Sequence, residues 1–419
     1  MNSTAGKAEL VIKNAKELLT CKDDSPDLIG LVNDGWVAVS GGLITEVGAK
    51  KDIEPMISAE TEVIDASGKV VAPGFVDSHT HVVFGGSRVG EYFAKIEKLS
   101  QEEIKRRGIE TGILTTLTPT RGLPVEGLYD QTAARVRDMI VSGTTTLESK
   151  SGYGLDHDTE LKQLEVNELL AQRLPINIAS TFLGAHGWPH DSAKEAYMDF
   201  LIREMIPLVG NSKLAKFCDA WCDEGHYTAE DCRVILEAGI AAGMRPKLHS
   251  EGYSYIGGAE VAAELHAASA DHLNYAPRHS LRKLAEAGVI GTPLPGIDFA
   301  VGHPLPFELA PMIEEGLEVA IATNCCPGCW CTSMPFIIIL ACRRHGFSAE
   351  RAIRAATIAG AKALDLAGEV GSIEPGKRAD IQIWNLEQHE DVAYHYMTNP
   401  VGVVIKDGAV VVRDSRILI

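Results

Sequence analysis

The middle of the chain alternates two patterns of hydrophobic and polar positions. Apolar runs of strand length are followed by stretches in which apolar residues recur with the period of a helix, as in residues 158–173 and 228–242. This alternation is typical of βα units with a parallel sheet. The predicted strands end near eight residues, which are His81, Lys150, His186, Asp219, His249, His272, Gly296 and Asn324. Eight strands predict a closed (β/α)8 TIM barrel, whose functional side chains lie at the C-terminal ends of the strands.

The two ends of the chain have a different pattern. Residues 10–64 contain short apolar runs separated by turn residues, and the C-terminal part of the chain repeats this style. Such runs are typical of small antiparallel sheets. We therefore expect one composite β-sandwich domain from residues 1–68 and 366–419, and one barrel domain from residues 69–365.

Composition and charge narrow the class of protein. With 45% hydrophobic and 23% charged residues, the chain resembles an ordinary globular protein. Its net charge of −18 repels phosphate backbones, so we expect no nucleic-acid partner. The apolar run 336–342 is too short to span a bilayer, and the N-terminus lacks the apolar stretch of a signal peptide. We expect a cytoplasmic protein without a membrane partner, whose nine cysteines are reduced thiols.

Histidines end several of the predicted strands. His79 and His81 follow the apolar run 70–76, and the period of two places both imidazoles on the same face of that strand. His249 and His272 end later strands. Because the strand ends of a barrel meet at one face, these side chains predict a metal site there, in preference to separate histidines buried in a core.

Five segments are similar to those of a known family. They are residues 77–81 (Asp-Ser-His-Thr-His), 150–155 (Lys-Ser-Gly-Tyr-Gly-Leu), 184–186 (Gly-Ala-His), 269–273 (Ser-Ala-Asp-His-Leu) and 376–380 (Gly-Lys-Arg-Ala-Asp). The first and last are general to the amidohydrolase superfamily, whereas the second and fourth are more specific. Over nearly its whole length the chain resembles the imidazolonepropionase branch of that superfamily.

The resemblance implies a metal-dependent hydrolase that cleaves C–N bonds in cyclic amides. It assigns one divalent metal ion, Zn²⁺ or alternatively iron (Fe²⁺/Fe³⁺), to His79, His81 and His249, and a catalytic role to His272. Lys150 is not expected to be a carbamylated lysine that bridges two metals, because the matching lysine of this branch is not used in that way.

The resemblance also implies how a small-molecule substrate is held. Arg88, Tyr153 and His186 match substrate-holding positions, and the guanidinium of Arg88 suits a carboxylate arm. Related barrels are often dimers, so a homodimer is expected by analogy.

The sequence departs from the family pattern inside the expected pocket. Asn324 stands where the family carries an aspartate that contacts the metal and takes a proton from the attacking water. A carboxamide cannot accept that proton. Glu251, two residues after the third metal ligand, is one candidate to replace the missing carboxylate.

Four cysteines follow Asn324 where the family has none, namely Cys325, Cys326, Cys329 and Cys331. Cys325 or Cys326 could supply a thiolate ligand, a base or a nucleophile. Alternatively, Cys326 and Cys329 form a reversible dithiol, all four hold a structural zinc, or all are small buried apolar residues.

Three functions therefore remain open at this point. The first is hydrolysis of a five-membered imidazolone or hydantoin-like ring with a propionate arm, as part of histidine catabolism. The second is hydrolytic desulfuration of the 2-thioxo analogue, a thiohydantoin propionate from the breakdown of thiol-bearing histidine, because thiolates suit exchange with sulfur. The third is a non-catalytic binding or redox-sensing protein.

Overall fold

The computed structural model describes residues 7–50, 53–396 and 398–418, so the outermost residues of the predicted composite domain, 1–6 and 419, lie outside the described residues. The strands are, in chain order, β1 (Leu10–Leu19), β2 (Leu31–Ser40), β3 (Leu43–Ala49), β4 (Glu62–Asp65), β5 (Val70–Pro73), β6 (Phe75–Asp77), β7 (Thr144–Lys150), β8 (Asn177–Ala185), β9 (Phe217–Cys222), β10 (Arg245–Pro246), β11 (Leu248–Ser250), β12 (Ser269–His272), β13 (Ile290–Thr292), β14 (Ile381–Trp384), β15 (Val401–Lys406), β16 (Ala409–Arg413) and β17 (Arg416–Ile417).

The α-helices are α1 (Val89–Ile96), α2 (Gln101–Arg106), α3 (Leu114–Gly122), α4 (Val125–Val141), α5 (His157–Arg173), α6 (Lys194–Phe200), α7 (Ile206–Ser212), α8 (Ala229–Ala241), α9 (Gly258–Glu264), α10 (Arg278–Glu286), α11 (Pro295–Val301), α12 (Leu309–Glu314), α13 (Met334–His345), α14 (Ala349–Ala355) and α15 (Ile358–Ala363). A π-helical segment, Leu201–Met205, continues α6 into α7. In the described part of the chain, no helix is long and apolar enough to cross a membrane.

The first of two compact units contains both ends of the chain, up to Asp77 and from Ser333 onward, together with Arg137–Thr146. Its sheet has the order β17-β16-β15-β14-β5-β1-β2-β3, and β4 pairs with β1. The antiparallel pair of β5 and β14, with Pro73 opposite Ile381, joins the N-terminal strands to the C-terminal strands. The two ends therefore form one sheet, as the sequence predicts, while the exact domain boundaries stay a prediction.

The second unit contains residues 78–136 and 147–332 and carries the parallel sheet, in the order β13-β12-β11-β9-β8-β7. The strands pair in parallel, for example His249 of β11 beside Asp271 of β12. Helices lie between successive strands, so the predicted alternation of strand and helix is confirmed.

Residues 318–325 close the ring of strands. At one end of this segment, Gly291 N of β13 donates to Glu318 O over 2.9 Å. At its other end, Asn324 N donates to His79 O over 3.1 Å, and His81 N donates to Cys325 O over 2.9 Å. Lys150 N of β7 donates to Thr80 O, so the segment 79–81 is bonded to β7 on one side and to residues 324–325 on the other. The strands and these two extended segments form a closed ring of eight, which is the predicted (β/α)8 barrel.

Two predicted strands differ in detail from the structure. The seventh, β13, ends at Thr292 and not near Gly296, because Pro295 starts α11, and proline suits the first turn of a helix. The eighth is not a regular strand. It pairs with β13 through a single bridge between Gly291 and Val319 and is otherwise an extended segment.

Helix α8 begins with a capping box, as the spacing of Thr228 and Asp231 in the sequence predicts. Thr228 Oγ1 accepts from Asp231 N over 3.2 Å, and Asp231 Oδ2 accepts from Thr228 N over 3.0 Å. Replacing Thr228 with alanine leaves one N–H of the first turn without its acceptor, so we expect the free energy of unfolding to fall by about 1 kcal/mol. Chemical denaturation measures the difference. Thr118→Ala, at an exposed position within α3, is the control, and an equal loss in both variants would contradict the capping role.

Candidate active site

Five histidines meet at the C-terminal ends of the barrel strands. The ring centroid of His79 lies 4.6 Å from that of His249, 5.3 Å from that of His81 and 5.5 Å from that of His272. The ring of His186 stacks on that of His81, with centroids 5.0 Å apart. The structure therefore brings together all the histidines that the sequence singled out.

Two of these histidines are oriented by buried carboxylates. His79 Nδ1 donates to Asp271 Oδ2 over 2.6 Å, and His249 Nδ1 donates to Asp219 Oδ2 over 2.9 Å. With each Nδ1–H engaged, the Nε2 atoms carry the lone pairs. His249 Nε2 lies 3.3 Å from His81 Nε2, and the buried Nε2 of His79 has no hydrogen-bond partner. Such an arrangement suits a cation between the rings.

Burial favours the neutral form of four of these rings, those of His79, His81, His186 and His272. Burial lowers the pKa of His79, His81 and His186 well below its usual value, and neighbouring cationic groups lower it further. Burial, followed by the charge of His249, lowers the pKa of His272 to about 3. A neutral imidazole nitrogen is the form that binds a metal.

Beneath the histidines lies a group of five buried charged side chains, which we call the buried charge layer. It consists of Glu148, Lys150, Asp219, Lys247 and Asp271, each at most 1% exposed. Lys150 Nζ lies 2.7 Å from Asp219 Oδ2, 2.9 Å from Glu148 Oε1 and 3.5 Å from Asp271 Oδ2. Burial lowers the pKa of Lys150, but these three carboxylates raise it more strongly, so its pKa lies above the usual value.

A cavity of about 550 Å³ opens above the histidines. Its wall includes eight of the residues predicted from the sequence, namely His81, Arg88, Tyr153, His186, His249, His272, Asn324 and Cys326. This volume lies in the range of small-molecule sites, which is about 300–1,000 Å³.

Arg88 reaches the cavity from the N-terminal end of α1, where Glu91 holds it. Its Nε and Nη2 atoms lie 2.7 Å and 2.6 Å from Glu91 Oε2. Glu91 also pairs with Lys95 at 2.7 Å and accepts from Gly112 N at 2.9 Å. One edge of the guanidinium is therefore engaged by Glu91, and the edge that carries Nη1 is the one that can donate to a substrate.

The loop that carries Tyr153 depends on glycine. Gly152 has a φ of +107°, and a Cβ added there would lie 2.8 Å from Leu183 O and 2.9 Å from His186 Cβ. Glu160 holds the loop, because its carboxylate accepts from the backbone N–H of Gly152 and of Gly154, each at 2.9 Å. The sequence reading missed Glu160, although a glutamate in the first turn of the following helix is a signal for such a contact.

Asn324 lies where the sequence predicts it, on the cavity wall beside the histidines. It is buried, its φ is +49°, and its Oδ1 atom has no hydrogen-bond partner. A buried carbonyl oxygen without a donor suits a cation or a bound molecule.

Glu251 is one of two predicted catalytic residues that the structure does not bring to the cavity wall, the other being Cys325. Its Oε1 atom accepts from Gly257 N at 3.1 Å and also from Gly258 N, so the carboxylate caps the start of α9. Burial raises the pKa of Glu251 to about 7. Because its carboxylate is bound to the start of α9, we do not assign the role of proton acceptor to Glu251.

The cysteines after Asn324 have separate surroundings. Cys326 lines the cavity, whereas Cys325 is fully buried and absent from the cavity wall. Cys326 and Cys329 exchange backbone hydrogen bonds of 3.0 Å and 3.1 Å across a two-residue turn, and both are free thiols. Burial raises the pKa of Cys326, which opposes a thiolate there. Within the described ranges, no group of side chains close enough to hold a metal includes a cysteine.

Some residues of the site were not found from the sequence. Trp221 and His226 line the cavity and stack on each other, with ring centroids 3.5 Å apart. Asp219 and Asp271 were noticed only as a strand end and as part of a motif. An aspartate directly before His272 on a strand that ends at the site was a usable signal for a partner of a ligand histidine.

Two solved structures with similar folds contain zinc. An adenosine deaminase from Xanthomonas campestris with bound zinc superimposes with a TM-score of 0.71, at 16% identity, over 99% of this chain and 95% of that one. An atrazine chlorohydrolase from Arthrobacter aurescens complexed with zinc gives a TM-score of 0.70, at 15% identity, over 98% and 96% of the two chains. At these identities the likeness shows the fold alone.

Sequence comparisons are more specific. The model of the Amidohydrolase family matches residues 307–411, and a second model of the same description matches residues 62–107. The imidazolonepropionase of Geobacillus kaustophilus is 40% identical, over 98% of this chain and 99% of the relative. That of Clostridium tetani is 39% identical over the same shares. Given this identity over nearly its whole length, the chain belongs to the imidazolonepropionase family of the amidohydrolases.

Proposed function

We propose that this protein is a metal-dependent hydrolase that opens the five-membered ring of an imidazolone bearing a propionate arm. Relatives of this name match the chain from end to end, and the cavity offers both a histidine cluster and a guanidinium. The observation that carries the proposal is the convergence of His79, His81 and His249, whose ring centroids lie 4.6–5.3 Å apart, together with the buried carboxylates that hold His79 and His249 through Nδ1. These relatives give no support to the desulfuration alternative.

In this proposal, His79, His81 and His249 hold one divalent metal ion, with zinc as the first choice and iron as the second. His249 is close enough to share an ion with His79 and, in a second group, with His81, and the Nε2 atom of His79 has no hydrogen-bond partner. Three histidines with an open position are typical of catalytic zinc. A bound zinc ion supplies Lewis acidity and lowers the pKa of a water from about 15.7 to about 7.

The other side chains of the cavity bind and orient the substrate. The free edge of the Arg88 guanidinium binds the propionate carboxylate. The hydroxyl of Tyr153 and the neutral ring of His186 offer hydrogen bonds to the imidazolone ring. We assign the proton transfer of ring opening to His272, which lines the cavity with its ring centroid 5.3 Å from that of His249. Asn324 Oδ1 accepts a hydrogen bond from the attacking water but cannot take its proton.

Purified protein tests the function directly. Metal content is measured together with turnover of the imidazolone propionate, and the 2-thioxo analogue is assayed in parallel for sulfide release. We expect one metal ion per chain and ring opening of the oxygen substrate. Sulfide release without ring opening would favour the desulfuration alternative, and full metal occupancy without turnover of either ring would contradict both enzyme functions.

Removal of the Arg88 guanidinium tests how the substrate is held. Arg88→Met eliminates a charge-assisted hydrogen bond worth about 1.5–3 kcal/mol, so we expect KM to rise roughly 10- to 100-fold with a smaller change in kcat. Arg107→Met is the control, because Arg107 directly follows α2 and pairs with Glu103 outside the cavity. A fall in kcat with an unchanged KM would argue against binding of the carboxylate arm by Arg88.

The homodimer stays a prediction by analogy. Light scattering of the purified chain, at several concentrations, measures its mass in solution. A mass of one chain at all concentrations would contradict the prediction.

A further inference from the structure

The buried charge layer connects two histidines that belong to different strands. His79 is held by Asp271 of β12, and His249 is held by Asp219 of β9. Lys150 of β7 lies between these two carboxylates, at 2.7 Å from Asp219 and 3.5 Å from Asp271. A single ammonium therefore contacts the partners of both histidines.

The layer is closed to solvent, so its charges depend on one another. Lys150, Asp219 and Asp271 have no more than 1% of their surface exposed. Other contacts also fix the carboxylates, since Asp219 Oδ1 accepts from Ala220 N at 2.7 Å, and Asp271 Oδ1 accepts from Ser269 Oγ at 2.6 Å. Buried carboxylates are costly without a counter-charge, and Lys150 supplies one that both aspartates share.

We propose that Lys150 is a positioning residue for the metal centre: its ammonium holds Asp219 and Asp271 against the Nδ1–H groups of His249 and His79, so that both Nε2 lone pairs face the cation. This inference rests on the proposed function, because it takes His79 and His249 as ligands. In this arrangement the ammonium is buried beneath the histidines, outside the cavity wall, and does not contact the substrate. Partners of ligand histidines affect metal affinity by about 10- to 100-fold, and Lys150 acts through two of them at once.

His81 provides an internal comparison within the same cluster. Its Nδ1 atom is buried without a hydrogen-bond partner, so no carboxylate fixes its tautomer. The proposal therefore predicts a difference among the three ligand histidines of one protein. His79 and His249 carry the proton on Nδ1 because of the layer, whereas His81 has no such constraint.

The first experiment needs no variant. Long-range ¹H–¹⁵N correlation spectra of the metal-free wild-type protein report which ring nitrogen of each histidine carries the proton. We expect Nδ1–H for His79 and His249. Nε2–H as the main form of either ring would overturn the inference.

The second experiment removes the ammonium. Lys150→Met keeps the length of the side chain, and Zn²⁺ affinity is measured by competition with a chelating dye. We expect affinity to fall about 10- to 100-fold and the tautomers of His79 and His249 to become mixed. Lys406→Met is the matched control, because Lys406 is also a buried lysine, 3.1 Å from Asp380 in the other unit. An equal loss of Zn²⁺ affinity in both variants would show a general effect of losing a buried ion pair and would overturn the inference.

The outcomes separate this inference from the proposed function. If the wild-type protein binds neither Zn²⁺ nor Fe²⁺, the proposed metal site fails. If the wild type binds Zn²⁺ through the three histidines while Lys150→Met binds it equally well, only the role of Lys150 fails. If Lys150→Met does not fold, Nε2–H as the main form of His79 or His249 in the wild-type protein would still overturn the inference.

Discussion

Replacing His249 with alanine is expected to remove the metal ion and reduce ring opening by roughly a thousandfold, which corresponds to about 4 kcal/mol in the activation free energy. His249 belongs to both groups of three histidines that are close enough to hold an ion, one with His79 and His272 and one with His81 and His186. Its loss therefore breaks every candidate set of histidine ligands in the described part of the barrel. It also leaves Asp219 without its imidazole partner.

The measurements are metal content after dialysis and kcat/KM with the imidazolone substrate. His226→Ala is the control, since His226 also lines the cavity but stacks on Trp221 and belongs to none of the histidine groups. We expect His226→Ala to retain its metal. Full metal content and near wild-type turnover in His249→Ala would refute the proposed metal site.

The regular part of the barrel could be predicted from the sequence because periodicity is a local property. Apolar runs of strand length identified the strands that lead to His79 and His249, and helical periodicity with a capping residue gave the bounds of α8 nearly to the residue. The eighth strand was predicted to end near Asn324, where the structure has an extended segment held by backbone hydrogen bonds to Gly291 and His79. Such bonds depend on distant chain segments, which local periodicity does not describe.

Side chains just beyond the strand ends were harder to predict for a specific physical reason. Glu251, His272 and Asn324 have positive φ values of 54°, 77° and 49°. A residue in the left-handed region breaks the alternation of faces, so the period no longer tells which way its side chain points. His272 and Asn324 turn into the cavity, whereas Glu251 turns to the start of α9.

Partners of the ligand histidines were also beyond local reasoning. Asp219 lies 30 positions before His249 in the chain, and Asp271 lies 192 positions after His79. In the sequence, Asp219 ends a predicted strand and Asp271 directly precedes His272. Which carboxylate contacts which histidine depends on how the strands close into a barrel. Cys326 is a similar case, because its place on the cavity wall follows from the turn it shares with Cys329.

Asn324→Asp is the second substitution with a large expected effect. A carboxylate at this position can accept the proton that the carboxamide cannot, and a positioned general base contributes about 10²- to 10⁴-fold to rate. It would also add an anionic group beside neutral imidazoles, which favours a cation. We expect kcat for opening of the oxygen ring to rise about 100-fold and metal affinity to increase.

Asn324→Leu separates the loss of the carbonyl from the gain of a charge. Leucine has a similar volume but no polar atom, so we expect both metal affinity and turnover to fall below those of the wild type. The three proteins are assayed with the imidazolone and with its 2-thioxo analogue, and ring opening and sulfide release are followed together.

Because Asn324 Oδ1 is buried without a partner beside the histidines, a carboxylate there would face the same space. An unchanged rate and an unchanged product ratio in Asn324→Asp would mean that position 324 does not limit the chemistry, and that proton transfer proceeds through another group of the cavity, of which His272 is the first to test.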